Sequence, residues 1–448
     1  MEHASALAVC LLTAFGQSLF AQSETGSGFL AKDGKTLYTI VAADNEPRTA
    51  ATGQVASVEL KDHLEAISGA TFPLVKESEF DGKSPALYVG PTKFAQANGV
   101  KFDSLSQESW LYKRVGENLI LAGGKTATIY AVCEFLEREL GCRWFTLDSS
   151  WTPKLSEIPL KNWNRSGKPA FMLRELYTSH WAWGLTDERH QDYLKFVKRN
   201  RGNQMDSPLP ISRRPGTCHT FYQYVSWKKL FGDHPEYFSM NEKGERFHGP
   251  NMHSKGQLCL SNPEVAEVML ARLREFIAKD RRELPREKWP VVYDISQNDN
   301  FPYICKCPNC TKITQREGSE SALTLTCMNK VAREIAKEYP EIIIQTFAYV
   351  STERAPKTIR PEPNLFIRWC DLYTRSDCYR PITSPFNASR KEQLDGWKAV
   401  GANIVLWDYW NMGILKGPYF KPPRVETMVD AIAPDLRYFH EAGVISYF

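Results

Sequence analysis

Residues 291–299 read VVYDISQND, a short apolar run that ends in carboxylate, hydroxyl and amide side chains. Similar apolar runs recur along the chain, and most are followed by a segment with apolar residues at helical spacing. The runs lie at 170–176, 291–295, 342–350, 365–370, 403–407 and 444–448, and the helical segments at 188–200, 322–339, 390–400 and 425–442. Buried strands that alternate with amphipathic helices indicate parallel βαβ units.

We therefore predict an α/β protein in which residues 168–448 form a (β/α)8 TIM-type barrel, with two further strands in the irregular stretch 202–262. An open doubly wound sheet is the alternative. No Gly-x-Gly-x-x-Gly follows any of the runs, which disfavours a dinucleotide-binding version of that sheet. The sequence stops at residues 445–448, in the last predicted strand, so we expect the barrel to be truncated there.

Residues 23–160 predict a small α/β sandwich domain in front of the barrel, because strand-like and helix-like segments also succeed one another there. Gly123-Gly124-Lys125-Thr126 lacks the earlier glycine of a phosphate-binding loop, since Leu119 stands at that position. This segment therefore predicts a tight turn from a strand into a helix. Residues 156–168 predict a linker, since proline, glycine and asparagine are concentrated there.

The amino terminus has the pattern of an export signal. Residues 4–21 are largely apolar and uncharged, and a polar run follows directly. We predict that residues 1–22 are a signal peptide and that the mature protein is periplasmic or extracellular, without stable insertion in a membrane. The alternative is a short membrane anchor, but the apolar run is short for a spanning helix.

The charge balance excludes one class of partner. The 448 residues include 56 Lys and Arg and 52 Asp and Glu, for a net charge of +4. Nucleic-acid-binding proteins carry concentrated basic surfaces, so we expect no nucleic acid partner.

Polar and aromatic residues are concentrated where the predicted strands end, which is where barrel enzymes carry their sites. The candidate catalytic residues are Asp299, Asp408 and Asp371. The candidate substrate-binding residues are Asp294, Asn298, His219, Tyr349, Trp407, Arg174 and Glu175. Flat aromatic rings suit sugar C–H groups, and a pair of carboxylates can cleave a glycosidic bond as acid and as base or nucleophile. The pattern favours a carbohydrate substrate.

The role of each arginine has an alternative. Arg174 and Arg368 can hold the carboxylate of an acidic sugar, because guanidinium binds carboxylate in a two-pronged geometry. They can instead pair with the neighbouring Glu175 and Asp371.

Cys305, Cys307 and Cys310 form the densest group of cysteines. Three thiols at this spacing can ligate a structural zinc ion, with a fourth ligand from elsewhere such as Cys327 or a histidine. A disulfide and free buried thiols remain alternatives, and export favours the disulfide. We expect no required cofactor.

Several motifs resemble known families. Residues 119–124 and ATIYAVCEFLERELGCRWF at 127–145 resemble the small N-terminal domain of glycoside hydrolase families 20 and 67, the β-hexosaminidases and α-glucuronidases. Residues 168–448 resemble the bacterial domain-of-unknown-function family 4838. The motifs that carry this second resemblance are CHT at 218–220, HPEYF at 234–238, LCLSNP at 258–263 and SQND at 296–299, followed by the cysteine group.

These resemblances imply a secreted glycoside hydrolase that acts on an extracellular polysaccharide or oligosaccharide. Family 20 has an aspartate-glutamate pair after the fourth strand, whereas Asn298-Asp299 stands near that place here. The alternative functions are a non-catalytic glycan-binding protein on a degenerate barrel and a metal-dependent hydrolase that uses the cysteine group.

Overall fold

The computed structural model describes residues 28–47, 55–175, 187–203, 207–300, 304–371, 380–409 and 425–447. The predicted signal peptide lies outside these residues. The described chain divides into two compact units. The first comprises residues 28–47, 55–143 and 150–167, and the second comprises residues 144–149 and 168–447.

The first unit is a mixed sheet with helices. In chain order its elements are β1 (Phe29–Lys32), β2 (Thr39–Ala42), α1 (Ala56–Ser68), β3 (Leu74–Lys76), β4 (Ala86–Val89), α2 (Lys93–Ala97), β5 (Trp110–Val115), β6 (Asn118–Gly123) and α3 (Thr128–Arg138). Two short strands come after α3 in the sequence, β7 (Arg143–Trp144) and β8 (Ser150–Trp151). The strands β9 (Glu157–Pro159) and β10 (Asn164–Gly167) follow them. The sheet order is β10-β5-β6-β4-β2-β3, and β1 pairs with β9.

The segment that we expected to be a linker, residues 156–168, instead contributes β9 and β10 to this unit. Its one proline and two asparagines indicated a linker, and no alternating pattern indicated strands, because these strands are only three and four residues long. Short edge strands of this kind carry too few residues for periodicity to be detected.

Gly123 and Gly124 form the predicted turn between β6 and α3. A Cβ atom on Gly124 would lie 2.0 Å from the carbonyl oxygen of Ser106, and one on Gly123 would lie 2.4 Å from the carbonyl carbon of Ala127. Both obstructing atoms belong to the backbone, which cannot move aside as a flexible side chain can. Glycine is therefore required here by close packing and not by phosphate binding.

Gly124→Ala is expected to lower the free energy of unfolding by about 1–3 kcal/mol, the usual cost of overpacking. Chemical denaturation of the purified chain measures it. Gly232→Ala is the matched control, because no atom lies within 4 Å of its added Cβ. Equal stability of the two variants would contradict the packing argument.

The second unit contains a parallel sheet. Its elements are β11 (Leu173–Arg174), α4 (Asp187–Arg199), α5 (Phe221–Tyr224), α6 (Trp227–Leu230), α7 (Pro263–Glu283), β12 (Val292–Asp294), α8 (Pro308–Glu317), α9 (Ser321–Glu338), β13 (Ile343–Ala348), β14 (Leu365–Asp371), α10 (Ala388–Ala399), β15 (Asn403–Asp408), α11 (Val425–Glu441) and β16 (Ser446–Tyr447). All pairings are parallel, in the order β11-β16-β15-β14-β13-β12.

These six strands are a parallel half-barrel, so the predicted alternation of strands and helices is confirmed. The eight-stranded closure stays a prediction. Two contacts extend the edges of the sheet: Ile211 forms a parallel bridge to Val292, and the Asn203 amide donates to the Arg174 carbonyl at 3.2 Å. Within the described part of 202–262, the two further strands that we expected are replaced by isolated bridges and the short helices α5 and α6.

The described helices of both units differ from membrane spans. None of them combines the length and the apolar composition that crossing a bilayer requires.

Candidate functional site

The strands of the half-barrel have two faces, which we call inner and outer. The outer face carries apolar side chains such as Ile344, Trp369 and Leu406, which belong to one core with the helices. Because side chains alternate along a strand, Phe347, Arg368 and Trp407 lie on the inner face. Contacts between strands connect them: the Arg368 guanidinium lies 5.2 Å from the Trp407 ring centre and 6.0 Å from that of Phe347.

Asp294 ends β12 on the inner face and is fully buried. Its carboxylate accepts hydrogen bonds from Thr220 at 3.2 Å, from Gln345 at 3.3 Å and from Ser296. Burial raises the pKa of Asp294, and the Arg368 charge and these hydrogen bonds oppose that shift. The Thr220 hydroxyl also bonds to the Asp294 carbonyl. Asp294 thus anchors the segment around residue 220 to the end of β12.

Asp299 lies in the loop after β12 and is 36% exposed. The Tyr349 hydroxyl donates to its Oδ1 at 3.3 Å. His253 Nδ1 lies 3.2 Å from its Oδ2, and His219 Nε2 lies 3.9 Å from its Oδ1. The other ring nitrogen of His219 is 2.8 Å from the Gln297 carbonyl, which orients the imidazole. One accessible carboxylate therefore meets a phenol and two imidazoles.

Backbone strain accompanies this cluster. His219 has φ of 54°, and Val350, which follows Tyr349, has φ of 57°. The left-handed region is costly for residues with a Cβ, and most costly for β-branched ones such as valine. Such conformations persist where surrounding contacts enforce them and are concentrated at functional sites.

A row of rings runs along the inner face from His219. His219 meets Phe347 edge-on at 5.0 Å, Phe347 meets Trp407 at 5.7 Å, and Trp407 stacks with Tyr409 at 6.0 Å between ring centres. The charges of Asp299 and Arg368 both influence the pKa of Tyr409, which burial raises. The row therefore connects the surroundings of Asp299 with Arg368.

Glu175 follows β11, and its amide donates to the Tyr447 carbonyl. Burial raises the pKa of its carboxyl, and the charges of Arg368 and Arg213 oppose the shift. Arg174 precedes Glu175 in the sequence. Its guanidinium donates hydrogen bonds to the carbonyls of Phe171 and Arg201. These contacts do not support the predicted role of Arg174 in substrate binding.

Asp371 and Asp408 stand side by side on β14 and β15, where they are paired in register. They share the outer face with Trp369 and Leu406. Arg390 of α10 donates to Asp371 at 2.8 Å. Burial and the charge of Asp371 raise the pKa of Asp408.

The structure therefore corrects our expectation that Asp371 and Asp408 converge with Asp299. The reason is the alternation of side chains along a strand, which turns both carboxylates away from the inner face.

Asn298 is also placed differently from the prediction of a pocket residue. It is fully buried, and its side-chain amide donates to the Gly256 carbonyl at 3.1 Å. The side chain of Gln257 forms two more hydrogen bonds: it accepts from the backbone amide of Asn298 and donates to the backbone carbonyl of Asn298. Asn298 and Gln257 thus fasten the loop that carries Asp299.

The cysteine group gains a member that we did not predict. The sulfur atoms of Cys259, Cys305, Cys307 and Cys310 all lie within 4.8 Å of one another, and all four residues are buried. Cys327, which we considered as the fourth, instead contacts the Met269 sulfur at 3.9 Å.

The family model of a domain of unknown function, DUF4838, matches residues 144–448. The chain belongs to the DUF4838 family. The matched region contains every site residue and all four clustered cysteines. It begins at residue 144, so the similarity of the first unit to families 20 and 67 stays a prediction.

Solved structures with similar folds are carbohydrate enzymes of low identity. BtGH115A, a GH115 4-O-methyl-α-glucuronidase described as specific for decorated arabinogalactans, is 12% identical over 93% of this chain and 54% of its own, with a TM-score of 0.49. The Flavobacterium johnsoniae chitobiase is 13% identical over 95% and 63%, with a TM-score of 0.44. The Streptomyces plicatus N-acetyl-β-hexosaminidase is 9% identical over 91% and 80%, with a TM-score of 0.41.

The DUF4838 chain thus spans between half and two thirds of the first two of these structures. No curated protein sequence matches it. With all three TM-scores below 0.5, the reaction has to be inferred from the residues of this DUF4838 chain.

Proposed function

We propose that the second unit binds an extracellular glycan and hydrolyses a glycosidic bond. The observation that carries the proposal is the Asp299 cluster: an accessible carboxylate that contacts Tyr349, His219 and His253 beside a row of rings. Aromatic faces suit the apolar side of a sugar ring. A carboxylate at this place can attack the anomeric carbon or activate water.

Glu175 is our second carboxylate, in place of Asp371 and Asp408. Leu173 pairs in register with Ser446, and Ser446 pairs with Val405, which is on the inner face with Trp407. Because side chains alternate along a strand, Glu175 continues on that inner face, and the charge of Arg368 acts on it there. A carboxyl with a raised pKa keeps its proton nearer to neutral pH, as the general acid of a glycosidase must. We therefore assign proton donation to the leaving oxygen to Glu175 and the role of nucleophile or base to Asp299.

Product analysis on a broad panel of oligosaccharides tests the proposal with the purified full chain. We expect at least one glycan to be cleaved, with a new reducing end. Binding without cleavage across the panel would favour the glycan-binding alternative. The absence of both binding and cleavage across the whole panel would contradict a carbohydrate function.

Glu175→Gln is expected to remove the alkaline limb of the pH–rate profile. The folded-state pKa of Glu175 is raised, so the wild-type rate should fall as pH rises through that value and the acid loses its proton. Glutamine has no such proton to lose. The pH dependence of kcat/KM measures this, with the exposed Glu287→Gln as control. An unchanged alkaline limb in Glu175→Gln would remove the assignment.

We also propose export of the protein, on the apolar residues 4–21. N-terminal sequencing of the mature protein from the periplasm and the medium tests it. We expect the chain to begin near residue 23, and an uncleaved cytoplasmic chain would contradict the proposal.

A further inference from the structure

We propose that Cys259, Cys305, Cys307 and Cys310 bind one structural zinc ion. Zinc in closed protein sites is tetrahedral, with Zn–S distances of about 2.3 Å, so its sulfur ligands stand about 3.8 Å apart. The Cys259 sulfur lies 3.6 Å from that of Cys307 and 3.9 Å from that of Cys310. All four sulfurs lie within 4.8 Å of one another. The cluster thus has the dimensions of a four-thiolate site.

The same distances disfavour a disulfide. Bonded sulfur atoms are about 2.05 Å apart, and such a bond would draw two cysteines together and leave two apart. Here Cys259 is almost equally close to two different partners, and all four cysteines are free. A metal ion explains why four sulfurs gather around one centre.

Neighbouring donors fit negatively charged sulfur. The Met240 amide donates to the Cys305 sulfur at 3.3 Å, and the Arg246 guanidinium lies 3.6 Å from it. The Ser261 hydroxyl lies 3.7 Å from the Cys307 sulfur, where it can donate to a thiolate. Hydrogen bonds and a nearby positive charge stabilise thiolates and therefore the metal complex.

Burial and ligand number assign the ion a structural role. None of the four cysteines is more than 5% exposed. Four protein ligands fill the tetrahedron, whereas a catalytic zinc keeps an open position for water. The cluster therefore argues against the metal-dependent hydrolase that we considered from the sequence.

The zinc site would brace the Asp299 loop from both sides. Gln257, two residues before Cys259, clamps Asn298 through two hydrogen bonds and also bonds Asn300 at 3.0 Å. Cys305 lies six residues after Asp299. One ion would therefore connect the segment of Gln257 and Cys259, which holds the Asp299 loop, with the segment of Cys305, which follows that loop in the sequence.

Metal analysis of Cys307→Ala and Cys327→Ala tests the proposal. Cys327 is the matched control, because it is equally buried but lies outside the cluster. By plasma mass spectrometry we expect about one zinc per chain in the wild type and in Cys327→Ala, and loss of the zinc in Cys307→Ala. Equal zinc in both variants would overturn the proposal.

If Cys307→Ala does not fold, measurements on the wild-type chain alone still test the proposal. Cobalt substitution should produce a thiolate-to-cobalt charge-transfer band and the strong visible bands of a tetrahedral site. Denaturation with a chelator and without reductant should release the zinc, and the four clustered cysteines should then titrate as free thiols together with the other cysteines of the chain. A metal-free chain with oxidised cysteines would overturn the site. None of these measurements depends on glycosidase activity, so this proposal and the proposed function can fail separately.

Discussion

Replacing Asp299 with asparagine is expected to lower kcat/KM for glycan hydrolysis by about 10²–10⁴-fold, the usual contribution of a positioned acid–base group. Asparagine preserves the size of the side chain and can still contact Tyr349. It cannot carry the negative charge that attack on the anomeric carbon or activation of water requires. The kinetics of the substrate that the oligosaccharide panel identifies measure the loss.

Substrate binding should survive this change. The row of rings from Phe347 to Tyr409 is held by packing between the rings, which the change at residue 299 leaves in place, so we expect the dissociation constant to change much less than kcat. Asp233→Asn, at an exposed turn, is the control and should have wild-type kinetics. Full turnover by Asp299→Asn would end the catalytic assignment. Equal losses in kcat and affinity would instead indicate a role in holding the loop.

The position of Asp299 was predictable because parallel strands deliver the loops after them to one rim. The face on which Asp371 and Asp408 lie was not predictable. The segments LFIRWCD and NIVLWD are apolar on both faces of the sheet, so their hydrophobicity does not alternate. Without alternation, a carboxylate at the end of such a strand can belong to the inner or the outer face.

Cys259 and His253 were missed for a different reason. Both lie in the stretch 202–262, where no periodic pattern predicts which residues meet. Local spacing identified Cys305, Cys307 and Cys310, but the fourth sulfur is brought to them by tertiary structure. The motif LCLSNP, which we used only for family resemblance, contains Cys259 and was the available signal.

Arg390→Met is expected to lower the free energy of unfolding by about 3–5 kcal/mol, because it removes one partner from a buried ion network. The Arg390 side chain is 1% exposed and contacts Glu353 at 3.0 Å and Asp371 at 2.8 Å. It also donates to the Cys370 carbonyl at 2.7 Å. Methionine fills similar volume but leaves these carboxylates buried without their cation. Equilibrium denaturation with urea measures the change.

The neighbouring Lys391→Met is the control, since its ion pair with Asp395 is about two-fifths exposed on each side and should contribute at most about 1 kcal/mol. The cost of Arg390→Met should shrink as pH falls. Burial and the charge of Asp371 already raise the pKa of Asp408. The folded state therefore favours protonated Asp408. The stability that this proton provides is present at low pH and is lost as pH rises through the raised pKa. The charge of Arg390 opposes that shift, so its removal should raise the pKa of Asp408 further. A cost below 1 kcal/mol, or one independent of pH, would show that the arginine is not the centre of this network.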